Sequence, residues 1–275
     1  MFFCKKSKTS EKLIPRSTTE HNMKKILRSI QVYVPFLQDL KYKLRFSIMK
    51  SMKKVHEDDF KLIKWFEPQE NQVFIDIGAN RGESITSMLI MKKGTKIIGF
   101  EPNAATYEKL ENYISGTDDV VIHNIGLGNK NEVLNLYVPF YRKWMFDGLA
   151  SFKYENAKDW LRTRMFFYKE QFLLIKETNC DIRKLDDFQL NPYFIKIDVQ
   201  GFELEVLQGG AETMKKNLPI LLIESLSKDC RTYLSSFGYQ FYGYHNGVLK
   251  EGAGGLNTYC ICLEKHPELK KYIAA

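Results

Sequence analysis

The chain has 275 residues, of which 44% are hydrophobic and 13% aromatic, enough for one large α/β domain and an appendage. No apolar run approaches the roughly 18 residues that span a bilayer, and the start, MFFCKKSK, lacks the apolar stretch of a signal peptide, which favours a cytoplasmic protein. The net charge of +8 is concentrated in residues 1–54, which contain 14 Lys and Arg and 3 Asp and Glu. The rest of the chain has 27 Lys and Arg and 30 Asp and Glu, which excludes a basic nucleic-acid surface there.

Residues 1–58 form a basic segment outside a predicted catalytic domain at 59–275. Within it, residues 23–54 mix apolar and basic side chains and are interrupted by Pro35. This pattern predicts helices. They can cap the catalytic body with solvated lysines, lie on an anionic membrane, or pack on a partner chain.

The segment 73–103 is the most informative part of the chain. Val73–Ile77 is a short run of apolar and β-branched residues, which predicts a buried strand. Gly78 and Gly82 allow the sharp turn that follows, because they tolerate positive φ. A helix over 83–92 then begins with its unpaired N–H groups facing the crevice at the carboxyl end of the strand.

A second buried strand, 96–100, delivers Glu101 about 25 residues beyond Asp76, where an acidic residue accepts hydrogen bonds from two ribose hydroxyls. The turn between them is not G-x-G-x-x-G, because Asn80 replaces the middle glycine. Asp76 would repel a pyrophosphate and attract an ammonium group. S-adenosylmethionine has a ribose, an amino acid and no phosphate, so it fits best. A dinucleotide and a purely structural turn are the alternatives.

The next elements continue the alternation of helices and strands. We expect a helix over 104–115, a third strand over 120–124 and a further strand over 133–138. Asn124, with the backbone of 125–126, is a candidate contact to the adenine ring. A glycine turn without a ligand explains the same residues equally well.

Residues 139–180 interrupt this rhythm with two tryptophans, several Phe and Tyr and many basic groups. A connection of about 40 residues between core strands is typically a lid or a binding loop. Aromatic faces with interleaved Arg and Lys suit a sugar ring or an anionic acceptor. Packing of the aromatics against the core is the alternative.

Two more buried strands follow, over 193–197 and 218–223, and each ends in a carboxylate. Strand tips at one edge of a parallel sheet converge on the crevice. Four acidic side chains are therefore expected to ring one pocket: Asp76, Glu101, Asp198 and Glu224.

The C-terminal part contains a predicted strand, YQFYGYHNGVL, then GAGG at 252–255, which we interpret as a hairpin connection, and a strand, TYCICLE. The five cysteines are odd in number and irregularly spaced, which argues against a disulfide framework. Cys260 and Cys262 are expected to be buried thiols rather than half of a zinc site.

VFIDIGANRGE, GFEPN, FIKIDVQGFELEVLQGG and ILLIES, in this order, resemble the FkbM family of S-adenosylmethionine-dependent methyltransferases over about residues 60–265. The resemblance implies a Rossmann-like class I methyltransferase fold, α/β, with a seven-stranded, mostly parallel sheet and helices on both faces. It implies methyl transfer to a hydroxyl oxygen, often on a sugar. It also places at the cofactor the residues Asp76, Gly78, Ala79, Asn80, Gly82 and Glu101. Gln200 departs from the family, where many members have Glu.

Transfer to an alcohol needs a group that accepts the hydroxyl proton. Asp198 is the leading candidate, followed by Glu224, His123 and His245; Asp198 can also touch the cofactor. Alternatively Asp198 is a turn carboxylate, and the histidines have no visible partner. Asp198 and Glu224 could hold a divalent cation, but two carboxylates are a weak signal, and no metal is predicted.

We therefore expect an O-methyltransferase that acts on a glycan or related hydroxyl acceptor. The alternatives are a dinucleotide-dependent oxidoreductase and a non-catalytic cofactor-binding scaffold in a glycan-synthesis assembly.

Overall fold

The computed structural model describes residues 18–274. Cys4 and the rest of the first 17 residues lie outside this range. Within it the helices are α1 (Thr18–Gln31), α2 (Gln38–Met52), α3 (Glu83–Met91), α4 (Ala104–Ile114), α5 (Tyr154–Asp159), α6 (Glu203–Gly209), α7 (Ala211–Asn217) and α8 (Lys228–Ser235). None of the helices in this range is long and apolar enough to cross a membrane.

The strands in the same range form two sheets. They are β1 (Val73–Ile77), β2 (Ile97–Phe100), β3 (Val120–His123), β4 (Gly126–Leu127), β5 (Glu132–Tyr141), β6 (Trp144–Met145), β7 (Leu173–Arg183), β8 (Pro192–Ile197), β9 (Ile220–Glu224), β10 (Gln240–His245), β11 (Val248–Glu251) and β12 (Asn257–Ile261). The strands predicted before residue 239 all exist, with β5 extending further at both ends than the expected 133–138.

The large sheet has the order β11-β10-β12-β9-β8-β1-β2-β3. The five strands from β9 to β3 are parallel, and β12 runs antiparallel between β9 and β10. β8 is buried along its whole length, as expected for a parallel strand covered by helices on both faces. The predicted α/β fold with a mostly parallel sheet is confirmed.

The sheet has eight strands rather than the seven expected. The run YQFYGYHNGVL is not one strand, because it reverses at Asn246 and Gly247, whose φ angles of 47° and 97° suit a tight hairpin turn. This turn separates β10 from β11, which pair with each other. The interpretation of 252–255 as the hairpin connection is therefore wrong: it leads from β11 to β12, past the intervening β10.

Apolar side chains fill both faces of this sheet. Against one face pack the 3-10 helix at Asp58–Trp65 and helices α3 and α4; against the other pack α6, α7 and α8. Cys260 and Cys262 are buried and unpaired, as predicted. With both faces covered, ligands can reach the strands only at their carboxyl ends.

Residues 139–180, which we call the aromatic insertion, are built on a second sheet. Its strand order is β4-β7-β5-β6. β5 and β7 pair without interruption from Glu132 opposite Ile182 to Tyr141 opposite Leu173. The tip of this ladder has its own small core, which includes Tyr141, Trp144 and Val32, the residue after α1. Many of the aromatics therefore stabilise the insertion itself.

Candidate active site

The turn after β1 has the backbone geometry that the glycines predicted. Gly78, Asn80 and Gly82 have φ angles of 82°, 47° and 91°. A side chain on Gly78 would clash with the carbonyl oxygen of Asp198, so only glycine allows the ends of β1 and β8 to approach this closely. Ala79 is buried within the same turn.

Glu101 lies at the end of β2, nearly buried, and faces this turn. Its Oε2 accepts a hydrogen bond from the Asn80 N–H at 2.8 Å, and its Oε1 accepts one from the Asn103 N–H at 2.9 Å. Burial raises the pKa of Glu101 to about 7. Each oxygen retains a lone pair, so the carboxylate can accept two hydroxyl groups from a ligand.

A narrow crevice of about 60 Å³ opens in front of Glu101. One wall is formed by the strand tips, through Gly78, Asn80 and Glu101, and the other by residues 147–152 of the insertion. Asn124 does not line it. The Asn124 amide donates to the carbonyl oxygens of Glu101 and Pro102, at 2.9 and 3.3 Å, and so fixes the loop after β2, whereas Gly126 does line the crevice.

Asp76 is fully buried behind this crevice rather than among its lining residues. Its carboxylate oxygens have no hydrogen-bond partner, and burial raises its pKa to about 7. The buried Lys196 is opposite Asp76 in the pairing of β1 with β8, and its charge opposes that rise. The expected contact of Asp76 with a cofactor ammonium group stays a prediction.

Asp198 and Glu224, at the tips of β8 and β9, form a hydrogen-bonded carboxyl pair. Burial and the neighbouring Asp198 raise the pKa of Glu224 to about 9. Burial acts to raise the pKa of Asp198 too, but the charge of Lys196, 3.8 Å away, and hydrogen bonds from Glu224 and Gln200 hold it below its usual value. At neutral pH the pair therefore holds one proton between its two carboxyl groups: Glu224 is protonated and donates it in a hydrogen bond to the ionised Asp198.

A second, wider cleft of about 830 Å³ lies on the other side of this pair. Asp198 and Gln200 line both cavities, and 32% of the Asp198 side chain is exposed. The cleft is bordered by one lysine, Lys153, and seven acidic residues: Glu155, Asp159, Asp198, Glu203, Glu205, Glu224 and Asp229. The prediction of an anionic acceptor does not fit this charge.

The aromatic insertion is fastened to the floor of the cleft by three hydrogen bonds. The Ser151 hydroxyl and the Asn156 amide donate to the carbonyl oxygen of Gln200, at 2.9 and 3.0 Å. Lys153 Nζ donates to the carbonyl oxygen of Gly201 at 2.5 Å. The insertion therefore borders both cavities.

The sequence model of the Methyltransferase FkbM domain matches residues 76–241, more than half of the chain. The chain belongs to the FkbM methyltransferase family. The matched range includes the turn after β1, both carboxylates of the pair and the insertion. Membership indicates a methyltransferase, as the sequence resemblance implied.

Solved structures similar to this chain include a Methyltransferase FkbM from Methylobacillus flagellatus, at 19% identity and a TM-score of 0.46, over 71% of this chain and 44% of that chain. Another is a precorrin-6y C5,15-methyltransferase from Geobacter metallireducens, at 13% and 0.35, over 76% and 89%. A third is a SAM-dependent O-methyltransferase from Thermotoga maritima, at 9% and 0.37, over 78% and 69%. The comparison with curated proteins gave no match.

Two histidines proposed as bases lie away from the pair of this FkbM domain. His123 stacks on Phe100, with ring centroids 5.3 Å apart, packs at a tilt against Phe188 at 5.5 Å, and lines neither cavity. His245 is exposed at the end of β10, beside the hairpin turn. Neither histidine lines the two cavities, because His123 packs against aromatic rings and His245 lies on the added hairpin. That either is the base stays a prediction.

Sequence reasoning missed an ion-paired bridge across the crevice. Arg81 is buried and donates to Asp147 of the insertion and, at 2.7 Å, to Asp39 of α2. It also missed Lys196. A lysine inside the otherwise apolar strand PYFIKI was the available signal, because a buried lysine needs carboxylate partners. Among residues 18–274 no group of three or more His, Cys, Asp or Glu side chains is arranged to hold a metal ion.

Proposed function

We propose that this protein is an S-adenosylmethionine-dependent O-methyltransferase whose acceptor is a sugar or a related polyhydroxylated molecule. The observation that carries the proposal is the position of Asp198. Its carboxylate borders both the crevice in front of Glu101 and the wide acidic cleft. A group at this junction can touch an acceptor oxygen at the point where it meets a methyl donor.

The crevice has the polar groups that this cofactor requires. Glu101 can accept the two ribose hydroxyls, as an acidic residue at the end of the second strand does in nucleoside sites. Asn80 Oδ1 and Asn103 Nδ2 are buried without hydrogen-bond partners, as are both oxygens of Asp76. Unpartnered buried polar atoms are costly, so a ligand that binds them recovers free energy.

The crevice is smaller than this cofactor, since sites for ligands of such size measure roughly 300–1,000 Å³. The residues that narrow it are those at 147–152, and Arg81 holds Asp147 in place. We therefore include in the proposal that the 147–152 segment moves outward when the cofactor enters. The hydrogen bonds of Ser151 and Asn156 to the Gln200 carbonyl would then either break or persist because Gln200 moves with the segment.

When bound, S-adenosylmethionine supplies a methyl group that leaves its sulfonium sulfur for an attacking oxygen, with the carbon–sulfur electron pair remaining on sulfur. Asp198 is ionised at neutral pH and accepts the hydroxyl proton of the acceptor. Glu224 keeps its proton and donates a hydrogen bond to Asp198, and with the Gln200 amide it holds that carboxylate toward the acceptor. Lys196 stabilises the ionised state of Asp198. Holding the oxygen in line supplies much of the remaining rate.

The carboxylates of the wide cleft support a neutral or cationic acceptor with many hydroxyl groups. Carboxylate oxygens accept hydrogen bonds from hydroxyls. The six acidic residues of the cleft other than the protonated Glu224 would repel a phosphorylated or sulfated acceptor.

The test combines binding with turnover. Calorimetry with S-adenosylmethionine and with its demethylated product should show binding by the wild type. Mass spectrometry of a panel of neutral, amino- and phosphorylated sugars should then show one added methyl group on a neutral or amino sugar. Absence of cofactor binding would refute the cofactor assignment, and methylation of nitrogen alone would refute O-methyl transfer.

A further inference from the structure

Helix α1 lies on the protein with its polar side inward. The α1 residues that contact the body are Lys25, Arg28 and Ser29: for example, the Arg28 guanidinium stacks on Trp160 at 4.5 Å, and the Ser29 hydroxyl accepts a hydrogen bond from the Phe166 N–H at 2.9 Å. The opposite side is apolar and 48–61% exposed, through Met23, Ile26, Leu27 and Ile30. A helix normally buries its apolar side, so this orientation leaves a hydrophobic surface uncovered.

Helix α2 continues the exposed surface, although its other side is anchored in the body. Phe46 is buried against Tyr113, with stacked rings 3.9 Å apart, and the Gln38 amide donates to the Met145 carbonyl at 2.7 Å. On the outward side, large apolar residues follow at helical spacing and are all exposed: Leu37, Leu40, Leu44 and Ile48. Tyr33 and Phe36, also exposed, join this stripe to that of α1.

We call this outward surface of residues 23–54 the basic-apolar face. Among the described residues, 20 large hydrophobic side chains are exposed, and 11 of these lie on this face. The face comes from little more than a tenth of the described residues. An apolar groove of about 580 Å³ runs along it, beside Leu40, Leu44 and Ile48. Soluble proteins rarely leave such a contiguous patch uncovered, so the face requires an occupant.

The charge of the face indicates which occupant. Residues 22–54 contain nine Lys and Arg and one acidic residue, Asp39, whose carboxylate is already bound by Arg81 and Lys109. Lys43, Lys53 and Lys54 are exposed and form no ion pair with the residues that the structure describes. A second copy would bring the same positive charge and be repelled, whereas an anionic surface is complementary.

An aromatic loop of the insertion extends the face beside α1. Phe167 is 93% exposed and has a φ of 53°, a left-handed conformation that is rare for a bulky side chain. The Phe166 N–H bond to Ser29 holds this loop against α1. Aromatic rings at such an edge suit the boundary between lipid headgroups and acyl chains.

We propose that the basic-apolar face docks on an anionic lipid bilayer, with α1 and α2 lying in the interface and their apolar stripe among the acyl chains. Amphipathic helices with Lys and Arg beside an apolar stripe bind membranes in this way. Docking would also place the acidic cleft close to the bilayer, because Trp160 borders that cleft and stacks on Arg28 of α1. The cleft would then meet acceptors held at the membrane surface.

The test is flotation of the full chain with phosphatidylcholine vesicles, either alone or with about 30% phosphatidylglycerol, at about 0.1 M and 1 M salt. We expect binding only to the anionic vesicles, at least tenfold weaker at the higher salt. Leu40→Ser/Leu44→Ser/Ile48→Ser should reduce binding at least tenfold. The matched control Val133→Ser/Leu174→Ser removes two similarly exposed apolar residues of the insertion sheet and should bind like the wild type.

A second pair of variants tests the charge. Lys43→Gln/Lys53→Gln/Lys54→Gln should weaken binding at least tenfold, since each cation near an anionic surface contributes about 1 kcal/mol. Lys130→Gln/Lys215→Gln/Lys216→Gln makes the same change in net charge on exposed lysines elsewhere and should have little effect. Circular dichroism melts establish that each variant folds.

Three outcomes would overturn the proposal. One is equal binding to neutral and anionic vesicles, and another is equal binding by a variant of the face and its control. The third is a dimer in analytical ultracentrifugation that Leu40→Ser/Leu44→Ser/Ile48→Ser disrupts, without vesicle binding by the wild type. That result would make the face a contact between copies.

Discussion

The two cavities that meet at Asp198 are built in different ways. One wall of the crevice around Glu101 comes from one continuous segment, 76–103, and Glu101 is buried in it. The wall of the acidic cleft is assembled from residues 153–160, the tips of β8 and β9, and α6 and α8. Burial raises the pKa of Glu101 in the crevice, whereas the acidic rim of the cleft acts through its summed charge. The crevice is therefore suited to one fixed ligand, and the cleft selects by charge.

The largest effect is expected at the junction of the two cavities. Asp198→Asn should lower turnover about 100-fold or more, because the neutral amide cannot accept the hydroxyl proton. Cofactor affinity should change less than about threefold, since Asp198 acts on the acceptor. Stopped-time methyl-transfer assays and calorimetry measure the two quantities. Asp181→Asn, on the exposed side of β7, is the control, and a comparable loss of cofactor affinity would make Asp198 a binding residue instead.

The next largest effect is expected in the crevice. Glu101→Ala should weaken cofactor binding about 100-fold, because two hydrogen bonds to a charged group are lost. Calorimetry measures the affinity, with Glu108→Ala on the exposed side of α4 as control. Unchanged affinity in Glu101→Ala would contradict the assignment of the crevice to the ribose.

The burial of Asp76 predicts a pH-dependent stability. Its pKa of about 7 lies above that of the unfolded chain, so its ionisation lowers the free energy of unfolding as pH rises from about 4 to 7, and the whole cost is present above 7. Asp76→Asn should therefore raise the melting temperature by several degrees at pH 8, and progressively less toward pH 5. Thermal melts across this range test it; a uniform shift would show that ionisation is not the cause.

The smallest effect is expected at the rim of the cleft. Glu155→Gln/Asp159→Asn should raise the KM for a neutral acceptor only a few fold, and should strengthen inhibition by its phosphorylated analogue. The KM for the neutral acceptor and the inhibition constant of its phosphorylated analogue give the comparison. If the double variant leaves their ratio unchanged, charge does not govern the choice of acceptor.

The contrast between a wall built from one segment and a wall assembled from several segments also explains what the sequence could predict. The strand tips carrying Glu101, Asp198 and Glu224 follow from short apolar runs that each end in an acidic residue, and the turn at Gly78 follows from local backbone requirements. The family resemblance and the mostly parallel sheet rest on the same local patterns.

Features that depend on distant residues could not be predicted. The bridge from Arg81 to Asp147 joins positions 66 residues apart. The proton shared by Asp198 and Glu224 depends on burial and on a hydrogen bond between the tips of two strands. His123 lies at a strand tip, like the acidic candidates, but its ring stacks on Phe100 and packs at a tilt against Phe188. The surroundings of the His123 ring could be known only from the packing of Phe188, which is distant in the sequence.

The shared proton is the central claim, and the pH dependence of single-turnover methyl transfer tests it most directly. Loss of the Glu224 proton, near pH 9, would set two anionic carboxylates against each other and release Asp198 from its orienting hydrogen bond. We predict that the wild-type rate falls above about pH 9, whereas Glu224→Gln, whose amide donates at every pH, keeps a flat profile there. The same alkaline fall in both enzymes would contradict the account.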